Sequence, residues 1–266
     1  TASWPEAMHF AAAGLTAASE SAVLIGGRAT VEDAYAYAKF ARLVLASDNI
    51  DFRARATSDE EVGFLAAHVA GKKLDVSYAD IESASQVALV AFEPEDESPI
   101  LLLRLRQAAK KGVAIHSVGS VYSLGSEKIS ASWVKAQAGS EATAIAGLDL
   151  DSNSIILVGE RAANSQGALT AVSEIAAKTG AKIAWVPRRA GERGALDAGA
   201  LAGLLPGGRP ISDPTARDQI AQAWNVEATS LPTVGRSGIE LIEAIASGAI
   251  KAVVVAGVDP ADMPNG

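Results

Sequence analysis

Cysteine is absent from this chain of 266 residues. That excludes disulfides, thiolate metal sites, iron–sulfur ligation and a cysteine nucleophile within it. Positive charge is short as well: 23 basic residues against 31 acidic ones leave a net charge of −8. A duplex nucleic-acid binder needs a basic face, so the balance argues against that class. No run approaches the 18 or more apolar residues of a membrane helix. The most apolar stretches, 23–25, 85–92, 154–158 and 252–258, have strand length. The first residues carry no basic targeting segment and no initiator Met, and a helix opens almost at once. The expectation is a segment of a longer polypeptide.

Several catalytic signatures are missing too. There is no Walker A loop, no G-x-G-x-x-G turn and no G-x-S-x-G elbow. The three histidines, His9, His68 and His116, have no carboxylate or second histidine at ligand spacing and read as solvated or core residues.

What is present is alternation. Alanine supplies 55 residues, so helices form cheaply. Hydrophobic residues make up 49% and charged residues 20%, a globular balance that 266 residues can turn into a buried core. Ser3 with Glu6 reads as a capping box, with Pro5 in the first turn and Met8, Ala11, Ala12 and Leu15 at helical spacing. Thr30 with Asp33, Ser58 with Glu61, Asp213 before Pro214, and Ser237 with Glu240 mark four more helix starts. Pro99 opens a helix whose apolar face reads Ile100, Leu103 and Ala108, and helices are also expected over 139–148 and 166–179. Six β runs, at 23–25, 86–92, 113–118, 155–158, 181–186 and 251–256, are continuous rather than alternating. That is the pattern of parallel sheets covered by helices, an α/β class with two Rossmann-like lobes. The polar connector Asp149-Leu150-Asp151-Ser152-Asn153 is the expected place for an exchange between two sheets, near 145–152. Residues 188–212, rich in Gly, Pro and Arg, read as a long ordered loop.

Four local features invite a functional reading beside a structural one. Gly26-Gly27-Arg28, between a strand and a helix, is either a phosphate cradle or a tight turn that needs glycine for its backbone; if either position needs a positive φ, alanine there destabilises. Tyr35-x-x-x-Lys39 with Ser21 imitates the catalytic set of short-chain dehydrogenases, without a nucleotide fingerprint before it. The run from Glu93 to Pro99 lies at the carboxyl end of a strand, where open α/β sheets bind ligands. It is either a cation site or an acidic first helical turn. The basic stretch from Arg188 to Ala195 is either an anion clamp or an interface loop.

The order of longer motifs resembles the molybdopterin oxidoreductase family. Trp4-Pro5-Glu6-Ala7 leads to Ile25-Gly26-Gly27, then Thr30-x-Glu32, Tyr35-x-x-x-Lys39-Phe40-Ala41-Arg42 and Asn49-Ile50-Asp51-x-Arg53. Val90-x-x-Glu93-Pro94 with Pro99 and Leu103-Arg104 follows. Gly194-Ala195-Leu196-Asp197-x-Gly199, Leu205-Pro206-Gly207, Ile250-Lys251-Ala252 and Gly257-Val258-Asp259-Pro260 complete the series. Within the family the likeness is to the large-subunit branch of bacterial respiratory NADH-quinone oxidoreductase, most of all over 188–210.

The resemblance implies a fold of the formate dehydrogenase and DMSO reductase type, domains II and III. A Rossmann-like domain at 28–148 is inserted between the two parts, 1–27 and 149–266, of another. It implies partners among the other subunits of a respiratory complex, with no nucleic acid and no membrane insertion. The place would be the cytoplasmic face of the bacterial plasma membrane, as a peripheral subunit. Iron–sulfur clusters would lie in a preceding part of the subunit.

Departures from the family pattern shape the expected function. Its molybdenum ligand in the inserted domain has no counterpart here, and its acidic-Pro-Arg guanine-binding stretch is replaced by Ser117-Val118-Gly119-Ser120. Glu93, Glu95, Asp96 and Glu97 stand on the phosphate side. A carboxylate about 6 Å from a phosphate repels it by roughly 3 kcal/mol at an effective dielectric near 20. The expectation is therefore a scaffold domain with no catalytic, metal or cofactor-binding residues. Gly26, Gly27, Thr30, Glu93 and Pro94 would be remnants of a pocket. The alternatives are a molybdopterin- or dinucleotide-binding oxidoreductase domain and a two-lobed binder of small ligands.

Overall fold

The structure, a computed structural model, describes residues 1–53, 58–259 and 261. Its contacts divide the chain into two compact units, residues 1–57 with 189–266, and residues 58–188.

The first unit begins with helix α1 (Trp4–Ala17), capped by the reciprocal Ser3 and Glu6 bonds expected from the sequence. Strand β1 (Ser21–Ile25) is fully buried. Thr30 caps α2 (Val31–Leu43), with its hydroxyl accepting from the Asp33 N–H at 3.1 Å. The buried stripe of α2 is Ala34, Ala38, Ala41 and Arg42, at i, i+4, i+7 and i+8. Strand β2 is only Ile50–Asp51.

The second unit runs through α3 (Asp59–His68), α4 (Tyr78–Ser83), β3 (Gln86–Val90), α5 (Pro94–Glu97), α6 (Pro99–Lys110) and β4 (Ala114–Gly119). It continues with α7 (Leu124–Lys128), β5 (Ser132–Lys135), α8 (Glu141–Ala146), β6 (Ile155–Gly159), α9 (Ala168–Thr179) and β7 (Lys182–Val186). The five strands form one sheet in the order β5-β4-β3-β6-β7, every pair parallel. Val87, Leu89, Ile115, Ile155 and Leu157 of the sheet pack with Ile81, Leu102 and Leu105 of the helices. Each such side chain contributes roughly 1.5–3 kcal/mol through burial.

The first unit resumes with α10 (Glu192–Asp197), β8 (Leu204–Leu205), β9 (Arg209–Pro210), α11 (Pro214–Trp224), α12 (Gly238–Ala246) and β10 (Ala252–Ala256). β10, β1 and β2 form a parallel sheet in that order, and β8 and β9 pair as an antiparallel hairpin. The α/β class with mostly parallel sheets is therefore seen.

Several expectations are corrected. The chain does not change sheets near 145–152, because β6 pairs with β3 and stays in the five-stranded sheet. The units divide at 57/58 and 188/189, rather than at 28 and 148, because α2 and β2 belong with β1, and β6, α9 and β7 with β3. In α6 the buried residues are Leu101, Leu102, Leu105 and Ala108, while Ile100 and Leu103 are 43% and 54% exposed. The stripe at 101, 105 and 108 runs over about two turns without a charge, whereas Arg104 and Gln107 flank the other one. The stretch 188–212 is not a plain loop, since it holds α10 and the β8–β9 hairpin. Ser237 makes no side-chain cap on α12; the Gly238 N–H is bonded at 2.7 Å by the Asp51 carboxylate instead.

Candidate functional site

In the first unit the candidate site is the turn after β1. Gly26 donates its N–H to the Ala256 carbonyl at 2.7 Å. Neither Gly26 nor Gly27 takes a positive φ, so the backbone conformation is not what calls for glycine. The reason is close approach. A Cβ on Gly26 would lie 1.9 Å from the Gly257 carbonyl oxygen. A Cβ on Gly27 would lie 2.5 Å from Glu192 Cγ and 2.7 Å from its Oε1. The Gly27 carbonyl accepts the Gly191 N–H at 2.8 Å. The glycine turn is thus filled by the chain's own α10, whose Glu192 is buried. The Arg189 N–H donates to the Glu192 carboxylate at 3.2 Å. A phosphate cradle offers open backbone donors to an anion; here the side chain packed against Gly27 is the acidic Glu192 of the same chain.

The residues that carried the family resemblance in this unit serve as polar core. Arg42 is completely buried, with its guanidinium on Asp48 at 2.6 Å and on the carbonyls of Gly199 and Leu204 at 2.8 and 2.7 Å. Burial pushes the Arg42 pKa down, and Asp48 opposes that shift. Asp48, Asn49 and Asp51 accept the N–H groups of Gly235, Arg236 and Gly238 at 3.1, 2.8 and 2.7 Å. Arg53 clamps Asp51 through two side-chain bonds of 3.0 and 2.7 Å. Pro260 of the last motif lies outside the described residues.

The dehydrogenase-like set does not assemble. Tyr35 accepts a bond from the Trp224 indole at 2.7 Å, and Lys39 lies 5.9 Å over the same ring. Ser21 starts β1, four residues or roughly 13 Å along the strand from its carboxyl end. A polar recess of about 400 Å³ sits at that amino end. Its charged side chains are already paired: Arg236 bridges Glu20 and reaches Glu240 at 3.5 Å, and Asp48 is held by Arg42.

In the second unit the sheet order reverses between β3 and β6, the place where open α/β sheets accept ligands. The loop after β3 carries Glu93 and buried Pro94, which starts α5. Glu93 accepts the Glu95 N–H at 3.2 Å, Glu95 pairs with Lys128, and Glu97 pairs with Arg161 at 2.8 Å and Arg188 at 3.8 Å. The Glu97 carboxylate is buried, and its second oxygen has no partner. A Cβ on Gly159, at the end of β6, would lie 2.4 Å from the Ala91 carbonyl, so the two loops of the reversal press together. Two of the four carboxylates of the acidic run, Glu95 and Glu97, are therefore paired with basic side chains from elsewhere in the unit. The run is not the bare negative loop expected from the sequence, and the charge argument against a phosphate is weaker here than that expectation held.

The amino end of α9, also beside this reversal, is closed by Glu60. Its carboxylate accepts the N–H groups of Gly167 and Thr170 at 2.9 and 2.7 Å, and the Thr170 hydroxyl at 2.8 Å. Burial would raise the Glu60 pKa, but these bonds and one to Leu169 outweigh it and leave it lowered. His68 bonds Ser173 at 2.9 Å, and burial followed by Lys72 lowers its pKa. His116 bonds Gln86 at 3.0 Å, and His9 is exposed on α1. Among the described residues no group of three or more His, Cys, Asp or Glu could hold a metal.

Sequence reasoning missed the packing of Glu192 on Gly27 and the bonds of Glu60 to the start of α9, since both join residues distant in the chain and leave no local spacing. Arg42 could have been found, since it lies on the apolar stripe of α2.

Parallel sheets in two units, this glycine turn and the motif order define a class. A family profile for molybdopterin oxidoreductase matches residues 1–264, and the chain belongs to that family. It is 49% identical to the G subunit of NADH-quinone oxidoreductase from Mycobacterium tuberculosis over 274 residues, covering 99% of this chain and 34% of that one. The corresponding protein of Streptomyces coelicolor is 44% identical over 297 residues, 99% of this chain and 35% of that one. A shorter match, 30% over 116 residues, joins 43% of the chain to 17% of the alpha subunit of F420-dependent formate dehydrogenase 1 from Methanococcus maripaludis. The chain spans about a third of the length of its NADH-quinone oxidoreductase relatives. A chain in the crystal structure of the formyltransferase/hydrolase complex FhcABCD from Methylorubrum extorquens shares the fold, with TM-score 0.52, 16% identity, and 95% and 73% of the two chains covered. No helix among the described residues is long and apolar enough to cross a membrane.

Proposed function

We propose that this chain is a cofactor-free scaffold domain of an NADH-quinone oxidoreductase large subunit. It holds neighbouring subunits and redox centres in place while electrons pass from NADH to quinone through iron–sulfur clusters elsewhere. Its partners are other subunits of that complex, and its place is the cytoplasmic face of the bacterial plasma membrane, as a peripheral subunit. One observation carries the cofactor-free part: the buried Glu192 carboxylate packs against Gly27, which puts negative charge beside the turn that a dinucleotide phosphate would have to approach. A dinucleotide phosphate brought to this turn would meet that carboxylate and be repelled by it. The absence of cysteine supports the same reading, since no thiolate is present to ligate molybdenum or a cluster.

The test is metal and pterin analysis of the purified protein, with calorimetry against NADH and GDP. The expected result is no stoichiometric molybdenum, no pterin fluorescence and no nucleotide binding at these residues. A stoichiometric molybdenum or pterin signal overturns the reading in favour of a molybdopterin oxidoreductase domain. Tight nucleotide binding overturns it in favour of a dinucleotide domain.

A further inference from the structure

The first unit's sheet is finished differently at its two edges. β2 is two residues long and buried, and Asp51 ties the 238 end of the 235–238 segment to it. β10 forms the other edge, and beyond it no strand is paired among the described residues. Its five residues are Ala252, Val253, Val254, Val255 and Ala256, and Val255 is 54% exposed. Its neighbour β1 is buried at every position.

An edge strand presents a row of unpaired N–H and C=O groups. Natural edges are kept from pairing by short length, bulges, proline or charged side chains, lysine above all. The edges of the second unit's sheet obey this rule: β5 carries Lys135 and β7 carries Lys182. β10 has no charge and no proline within its five residues. It also reads as a central strand of an α/β sheet, a continuous β-branched run of the kind buried on both faces. A strand of this composition is unsuited to lie open in water.

We propose that the outer edge of β10 receives a further β-strand, contributed by polypeptide of the same, longer subunit outside residues 1–266. The length of the relatives carries the choice of occupant: they match this chain over 99% of its length, yet it covers only 34–35% of theirs. The incoming strand is itself apolar and β-branched, since it meets a run of valines. This inference rests on the strand edge and on the relatives' length, and it is independent of whether a cofactor is bound.

The experiment uses the full-length subunit, with Val255 replaced by photoreactive p-benzoylphenylalanine. Irradiation followed by mass spectrometry is expected to link position 255 to an apolar, β-branched run of the same polypeptide outside 1–266. Amide exchange of the unsubstituted subunit, resolved residue by residue, supplies a second readout. A central strand protects successive amides, so those of Val253, Val254 and Val255 should all exchange at least roughly 100-fold more slowly than in an unstructured peptide. An edge strand protects only alternate ones. A cross-link to a second copy or to a different subunit overturns the proposal, and so does an alternating protection pattern without any cross-link.

Discussion

Two carboxyl ends of parallel strands, one in each unit, are closed by opposite means. After β1 the closure is steric: Gly26 touches the Gly257 backbone, and Gly27 touches Glu192 of α10. After β3 the closure is mainly ionic: Glu95 and Glu97 are held by Lys128, Arg161 and Arg188. The lesson is about what each closure tolerates. A packed backbone contact has no soft direction and does not respond to salt. Ion pairs whose basic partner is partly exposed are screened and exchange partners readily.

The comparison can be broken most forcefully within the first unit's polar core. Arg42→Met leaves Asp48 buried beside an apolar chain, and the expected loss is about 3–5 kcal/mol in urea unfolding. A loss under 1 kcal/mol would mean that the N–H groups of Gly203 and Gly235 alone satisfy Asp48, at 2.7 and 3.1 Å. Gly26→Ala comes next. The contact at 1.9 Å is with backbone, so relief requires β1 and the 257 turn to separate. A cost of about 3 kcal/mol is expected. An unchanged melting temperature would show that the turn is loose.

Gly27→Ala meets a side chain instead, and a cost of about 1–2 kcal/mol is expected. Combining it with Glu192→Ala should recover part of that cost, read as a coupling of about 1 kcal/mol in a double-mutant cycle. Strict additivity would separate Glu192 from the turn and weaken the scaffold reading.

The second unit should respond to pH through Glu60. Its folded pKa lies below the ordinary 4.5, so its contribution is complete above that value and is lost as pH falls through the lower, folded one. Glu60→Gln should cost about 1 kcal/mol at neutral pH and flatten the acid limb of the unfolding curve. An unaltered acid limb would assign that limb to other carboxylates. The smallest effect is expected at Glu97→Gln, within about 1 kcal/mol. The change removes a buried charge with one unpartnered oxygen while also releasing Arg161 and Arg188. A loss of several kcal/mol would make the ionic closure as rigid as the steric one.

Legibility in the sequence tracked the distance along the chain over which a feature is decided. The caps at Ser3, Thr30 and Ser58 lie three residues from their partners, and each forms as read. The main strands and helices were legible for the same reason, because a β-branched run or a 3.6-residue stripe is written into one short segment. β2 and β5 were not, being two and four residues long without a sustained apolar run.

The sequence by itself determined the alternation of helices with apolar strands, and so the α/β class and its parallel sheets. It also determined, through its lack of cysteine, that no thiolate chemistry resides here. Only the tertiary structure decided which sheet β6 joins, which stripe of α6 faces inward, and that Asp51 rather than Ser237 receives the first N–H of α12. It alone placed Glu192 over Gly27, 165 positions earlier in the chain. Such pairings depend on where whole elements dock. Docking is set by the sum of many apolar contacts and not by any local pattern.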